Sequence, residues 1–298
     1  MSEQNPDFYM PKVLLAASPV LNTLRAYSAD LGTWASLNVN VDASDVFLNG
    51  GSAALAASPV LNTLRAYSAI TGTWASQNVN VDASDAFRAA GNTVLAASPV
   101  LNTLRAYSAI TGTWANLNVN VDASDVFKVG SHVALAASPV LNTLRAYSAI
   151  TGTWASLNVN VDASDVFLAT GNTILVASPV LNTLRGYSAI TGTWANLNVN
   201  VDSSDVFKVG SHVGLAASPV LNTLRAYSAI TGTWAALNVN VDASDVFKAS
   251  GNSALAASPI LNTLRGYSAI TGAWANLNVN VDASDIFKAG SVQGIDNN

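Results

Sequence analysis

The sequence predicts an all-β fold built from seven copies of one four-stranded antiparallel sheet, and three observations carry that prediction. A unit of 40 residues recurs seven times along a chain of 298. Each copy divides into four short apolar or alternating runs of strand length, separated by Gly, Pro, Asn and Ser. No stretch shows the 3.6-residue apolar period, bounded by caps, that marks a helix.

The repeat is nearly exact in sequence. Leu15-Ala-Ala-Ser-Pro-Val-Leu-Asn-Thr-Leu-Arg-Ala-Tyr27 returns almost verbatim from Leu55, Leu95, Leu135, Leu175, Leu215 and Leu255. Across the junction of the third and fourth copies, Asp125-Val-Phe-Lys-Val129 and Val133-Ala-Leu-Ala-Ala137 read as two strands around a Gly130-Ser-His132 hairpin. Ser138-Pro139 then interrupts the chain, because proline cannot donate to a ladder and disfavours helix in the residue before it. Thr143-Leu-Arg-Ala-Tyr-Ser148 alternates at period two as a third strand. Ile150-Thr-Gly152 turns it into a fourth, Trp154-Ala-Ser-Leu-Asn-Val159.

Four-stranded units of this length, repeated seven times, point to a β-propeller, in which each blade buries its faces against its neighbours. A β-solenoid is the main competitor. Lys12-Val-Leu-Leu-Ala-Ala17 reads as a second strand lacking its first, and Ala283-Ser-Asp-Ile-Phe-Lys288 as a first strand lacking its second. The sequence therefore predicts a seven-bladed β-propeller of four-stranded antiparallel blades, closed by pairing of the N- and C-terminal strands in one blade. The expected organisation is a lead over 1–11, a single propeller domain over 12–294 and a tail over 295–298.

Composition excludes several classes of function. Half the chain is apolar and only 10% is charged, which is too hydrophobic for intrinsic disorder. The net charge of −5 and the lack of any basic run argue against nucleic-acid binding, which needs cations to replace the phosphate counterions. With no Cys, there are no disulfides and no thiolate chemistry. No apolar run approaches the roughly 20 residues of a spanning helix, and the expected strands fall short of the ~9–11 residues of a membrane barrel. Met1 to Met10 has neither a cationic start nor an apolar core, so no secretory signal is read and a cytoplasmic protein is the default expectation.

Ala146-Tyr-Ser-Ala-Ile-Thr-Gly-Thr-Trp154, which recurs in every unit with few changes, resembles the aromatic, turn and Trp segment of kelch-type blades. It is also similar to the corresponding stretch of quinoprotein-type blades. The resemblance implies the propeller fold and carries no cofactor with it. Where kelch blades usually place a Gly pair, this unit has Ala136-Ala137.

Variation among the copies is concentrated in the last seven positions of the unit, as in Arg88-Ala-Ala-Gly-Asn92 against Lys128-Val-Gly-Ser-His132. Such near-identity is expected from amplification of one repeat with early drift, or from deliberate construction on a repeated sequence. Any binding site is then expected to recur in each blade.

Two repeated constellations are candidate sites. Arg25, Tyr27 and Trp34, with Arg105, Tyr107 and Trp114 and with Arg145, Tyr147 and Trp154 as further copies, place an arginine and a tyrosine on one strand face, with a tryptophan on the next strand. Lining clefts between blades, they would stack on a sugar and hydrogen-bond its hydroxyls, as in a multivalent lectin; filling the space between blades, they would be packing. Paired carboxylates form the second series: Asp42 and Asp45, Asp122 and Asp125, Asp162 and Asp165. All-oxygen ligands of this kind favour calcium over zinc. The alternative is that they accept backbone N–H bonds in turns and pair with the arginine that recurs in step, Arg25 in the first unit. Carboxylates and SPVLN segments are expected at one end of the blades. His132 and His212 are expected as exposed turn residues. With only those two histidines, and no phosphate-cradling glycine loop, nothing converges into a catalytic triad. The chain is therefore expected to be a monomeric, non-enzymatic binding or interaction scaffold with a glycan or protein partner. A carbohydrate-binding lectin is the alternative, and a scaffold with no dedicated ligand a further one.

Overall fold

The computed structural model describes residues 12–282 and 284–288. Every regular element in it is a strand. The first sheet runs β1 (Val13–Ser18), β2 (Thr23–Ser28) and β3 (Thr33–Asn38), in that order. In the second, β4 (Val46–Asn49), β5 (Ala53–Ser58), β6 (Thr63–Ser68) and β7 (Thr73–Asn78) are again adjacent in chain order and antiparallel. Five further four-stranded sheets repeat this meander over residues 86–118, 126–158, 166–198, 206–238 and 246–278. The architecture is the predicted one, all-β and made of β-propeller blades. The described residues form two compact units, 12–159 with four sheets and 160–288 with three.

Turn chemistry sets the strand ends. Ser58 Oγ accepts the N–H of Leu61 across the Pro-containing turn, and Asn62 closes that turn at φ 51°. Asparagine tolerates this left-handed region better than other residues with a Cβ, and all seven repeats use it there. The Ala-Ile-Thr-Gly turn between β6 and β7 ends on Gly72 at φ 72°, where Thr71 N donates to Ser68 Oγ.

The alternation of Thr-Leu-Arg-Ala-Tyr-Ser divides each sheet into two unlike faces. Leu64, Ala66 and Ser68 point toward the following sheet, together with Ala53, Leu55 and Ala57 of β5. Thr63, Arg65 and Tyr67 point back toward the preceding one. The core therefore lies between sheets. In one such layer Leu55, Leu64 and Ala66 meet Val94, Ala96 and Tyr107 of the third sheet, while Phe87 and Trp114 flank them. In this layer two hydrogen bonds fix the register: Ser68 Oγ donates to Ala109 O at 2.6 Å, and Trp114 Nε1 donates to Ala75 O at 3.2 Å. Within each unit the first strands of successive sheets run close together, and a parallel bridge joins Gly51 to Gly91. A Cβ on Gly50 would stand 2.9 Å from Ala90 N, so this approach requires glycine.

One expectation is corrected. The first sheet has three strands rather than four, and 284–288, read from sequence as its missing strand, carries no strand among the described residues. Its Ile286 is 83% exposed. Strand propensity alone does not form a strand, because without a ladder partner and a buried face there is little to offset the ordering of the backbone. The expected N-terminal lead and C-terminal tail lie outside the described residues.

Candidate functional site

The Arg, Tyr and Trp series lies in the layers between sheets. Tyr107 and Tyr147 are fully buried, Arg105 and Arg145 nearly so, and Trp114 and Trp154 are half-buried. Tyr and Trp face each other across neighbouring strands, with ring centroids 5.4 Å apart for Tyr107 and Trp114 and 5.3 Å for Tyr147 and Trp154. The indole N–H groups are used, Trp154 Nε1 donating to Ala115 O at 3.2 Å. Burial drives the phenol pKa of Tyr107 upward. These are the environments of packing residues, and no stacking platform for a sugar is left at these two copies. The first copy differs. Arg25 and Tyr27 are only half-buried and Trp34 is 55% exposed. Tyr27 and Trp34 keep the same ring contact, at 5.2 Å.

The carboxylates occupy the segment that leaves one sheet for the next, and their roles within each pair differ. Asp122 Oδ1 accepts Ser124 N at 2.9 Å and Ser124 Oγ at 2.8 Å. These bonds, the backbone one foremost, hold the Asp122 carboxyl below its ordinary range. Asp42 and Asp162 are held the same way by Ser44 and Ser164. The second acid of each pair closes the turn: Asp45, Asp125 and Asp165 each accept through Oδ2 the N–H of the first acid at 3.2 Å. Burial raises the pKa of Asp125, against the opposing pull of Ser138 and, more weakly, Arg145.

The partner of that second acid corrects an expectation. Asp45 acts on Arg65, Asp125 on Arg145 and Asp165 on Arg185, each the arginine of the following repeat. The in-step pairing of Asp42 or Asp45 with Arg25 is not formed. The reason is topological, since the segment crosses to the next sheet before its second acid. Burial lowers the pKa of these arginines, and the aspartate charge partly restores it. Among the described residues no three His, Asp or Glu side chains gather as a metal cluster.

Both histidines are also placed differently from expectation. Asn92 Nδ2 lies 2.8 Å from His132 Nε2, and Asn172 Nδ2 contacts His212 Nε2 in the same way. Each bond joins equivalent hairpins of successive sheets, and His212 is buried. The strands place these hairpins at the opposite end of the sheet from the carboxylates.

The carboxylate end carries a feature that sequence reading missed. The Pro-Val-Leu turns lie there, tied to the outgoing segment by Val119 N donating to Asn102 O at 2.9 Å. Each turn projects an aliphatic side chain, with Val60, Val100, Val140, Val180, Val220 and Ile260 between 53% and 56% exposed. Their signal was the invariance of an apolar residue in a turn that packing does not require.

Fold and surface together define an all-β repeat protein of propeller blades, presenting one identical loop surface per blade. No protein-family model and no curated protein matches the chain. Among solved structures, the chain is similar to the computationally designed Ika8 protein, at 11% identity and a TM-score of 0.33, over 90% of this chain and 85% of that one. It is also similar to Hsv2 of Kluyveromyces lactis, at 9% identity and a TM-score of 0.33, over 92% and 95% of the two chains. For apo AztD of Citrobacter koseri the identity is 9% and the TM-score 0.30, over 90% and 94%. No described helix is long and apolar enough to cross a membrane.

Proposed function

We propose that the chain is a non-enzymatic, multivalent binding scaffold whose contact surface is the carboxylate end of its blades. The observation that carries this reading is the recurrence, sheet after sheet, of one exposed aliphatic tip on a turn bonded to the segment of an aspartate held in its charged form, as with Val100, whose turn takes the N–H of Val119 on Asn102 O ahead of Asp122. Such a surface is complementary to a partner that alternates cationic and apolar groups. Each contact is weak alone, and affinity comes from repetition. Binding is favoured over turnover because the imidazoles and the carboxylates occupy opposite ends of the sheets. The Arg, Tyr and Trp series serves the packing that holds the tips in register.

The test is calorimetric titration with a peptide of alternating Lys and Leu, with a Glu-Leu peptide as control. Expected is saturable binding of the cationic peptide alone, weakened by salt through screening of the exposed charges. Replacing Val100 and Val140 by Ser, which removes the apolar tips without adding charge, should cost at least about tenfold in affinity, some 1.4 kcal/mol. No saturable heat, or binding of both peptides alike, overturns the reading. So does binding confined to a glycan panel, which would restore the lectin.

A further inference from the structure

Every sheet ends on an outer strand, such as β7 or Thr113–Asn118, that pairs with the strand before it and has no ladder partner on its other side among the described residues. The following sheet reaches that strand by a side chain, Trp154 Nε1 donating to Ala115 O, which adds no strand. Propeller edges are normally short and protected, and sheets in general blunt an open edge with charges, proline or a bulge. These outer strands have none of the three. They read Thr-Trp-Ala-Ser-Leu-Asn in β3 and vary by Gln77, by Asn or Ala in place of the serine, and by Ala273 in place of the first threonine. No charged residue, proline or glycine falls within any of them, although the chain carries 13 basic and 18 acidic residues. Thr113 to Asn118 oppose Ser108 to Thr103 one for one, so no bulge bends the edge away.

The same strands are suited to pair with themselves. Laid antiparallel, two copies of Thr113–Asn118 set Thr113 opposite Asn118, Trp114 opposite Leu117 and Ala115 opposite Asn116, which matches the large apolar side chains across the strands. That direction also separates like charges. The segment after one strand, with Asp122, comes beside the uncharged Ala-Ile-Thr-Gly turn, 109–112, of the other, whereas a parallel pair would set Asp122 against Asp122.

We infer that the outer strands are a docking surface for a second copy of this chain, whose own outer strand pairs antiparallel with them and extends the sheet. The contact continues the ladder that already runs through Thr93–Ser98, Thr103–Ser108 and Thr113–Asn118. It is isologous, since one patch serves both partners. Each chain carries several such edges, so association continues past the dimer. Each edge belongs to a single sheet and lies apart from the aliphatic tips, so the peptide-binding reading can fail while this one stands.

Sedimentation velocity of the intact chain from about 1 to 100 μM tests it, a range that brackets a Kd of about 10 μM. Expected is concentration-dependent growth past the dimer, with amide hydrogen exchange slowed in the outer strands at the upper end. Ser76→Lys, Asn116→Lys and Ser156→Lys, combined with the same change at the equivalent exposed position of the other four outer strands, set one charge in the middle of every edge. This set should weaken association at least about tenfold and leave melting at low concentration close to that of the parent. Asn80→Lys, Asn120→Lys and Asn160→Lys with their equivalents add the same charge in the exposed segment beyond each strand and should leave association unchanged. A monomer throughout the range, equal weakening by the two lysine sets, association indifferent to the edge set, or exchange slowed elsewhere than in the outer strands overturns the inference. So does a chain that stays monomeric and protects those strands only when a foreign extended peptide is added.

Discussion

Gly186 and Gly266 occupy the same repeat position in the same local sequence, Leu-Arg-Gly-Tyr, and differ in what faces them. Replacing each by Ala therefore measures the layer between sheets with a built-in control. At Gly186 the new methyl would lie 2.5 to 2.7 Å from three ring carbons of the fully buried Tyr227. Ordinary carbon contacts need about 3.5–4.0 Å, so the ring must retreat by roughly 1 Å or more inside a filled layer. Overpacking of that kind costs roughly 1–3 kcal/mol. Other repeats carry Ala at this position beneath a buried tyrosine, as Ala66 does beneath Tyr107, which places the expected cost toward the lower bound. At Gly266 nothing needs to move, and the loss of backbone freedom in the unfolded chain should stabilise by about 0.4–1 kcal/mol. With about 2–4 °C per kcal/mol in units of this size, thermal melting at low concentration should show a drop of a few degrees for Gly186→Ala and no drop for Gly266→Ala. Equal shifts at the two positions, or a rise for Gly186→Ala, would refute the reasoning.

Two further outcomes follow from the same layers. Ser108→Ala removes a hydroxyl that donates to Ala149 O at 2.6 Å and accepts Ile110 N and Thr111 N at 3.1 Å; leaving a buried carbonyl unpaired should cost about 1–3 kcal/mol in urea unfolding, and an unchanged midpoint would deny the bond its role. Burial raises the phenol pKa of Tyr107, Tyr187 and Tyr227 above the unfolded value of 10.0. The folded state therefore holds these protons more tightly, so their stabilising contribution is complete below pH 10 and is lost as pH rises past it. Phenolate absorbance should accordingly rise together with loss of the circular dichroism signal, and free titration of all eight tyrosines in a folded chain would contradict the burial.

How far the sequence could be read depended on the range of the interaction. Strand existence and order within a sheet are local, and the alternation of Thr-Leu-Arg-Ala-Tyr-Ser together with the Ser-Pro and Gly turns located third strands such as Thr143–Ser148. The pairing of Arg and Tyr on one face follows from the same period. Contacts between sheets are not local. Near-identical copies offer each aspartate an equivalent arginine in its own unit and in the next, so spacing alone could not select Arg65 over Arg25 for Asp45. Nor could it show that Asn92 and His132, 40 residues apart, stand side by side at successive hairpins. Both are set by the crossing of the chain from the outer strand of one sheet to the first strand of the next.

Near-exact repetition also explains why the ends carry the properties least visible in sequence. In a stack of repeats each unit is stabilised by its neighbours, and terminal units normally exchange the residues of the outer face for polar ones. Here Tyr27 and Trp34 are the same residues that other sheets bury, and Leu264 and Leu277 are the leucines of every forward face except for Gln77. One sequence is therefore asked to serve as interior layer and as outer surface. Trp34 and Leu277 accordingly stand 55% and 59% exposed at positions that other repeats cover more fully, since nothing in the repeat marks a copy as first or last. Polar caps would convert these faces into ordinary surface; without them, the end sheets carry the apolar residues of an interior layer.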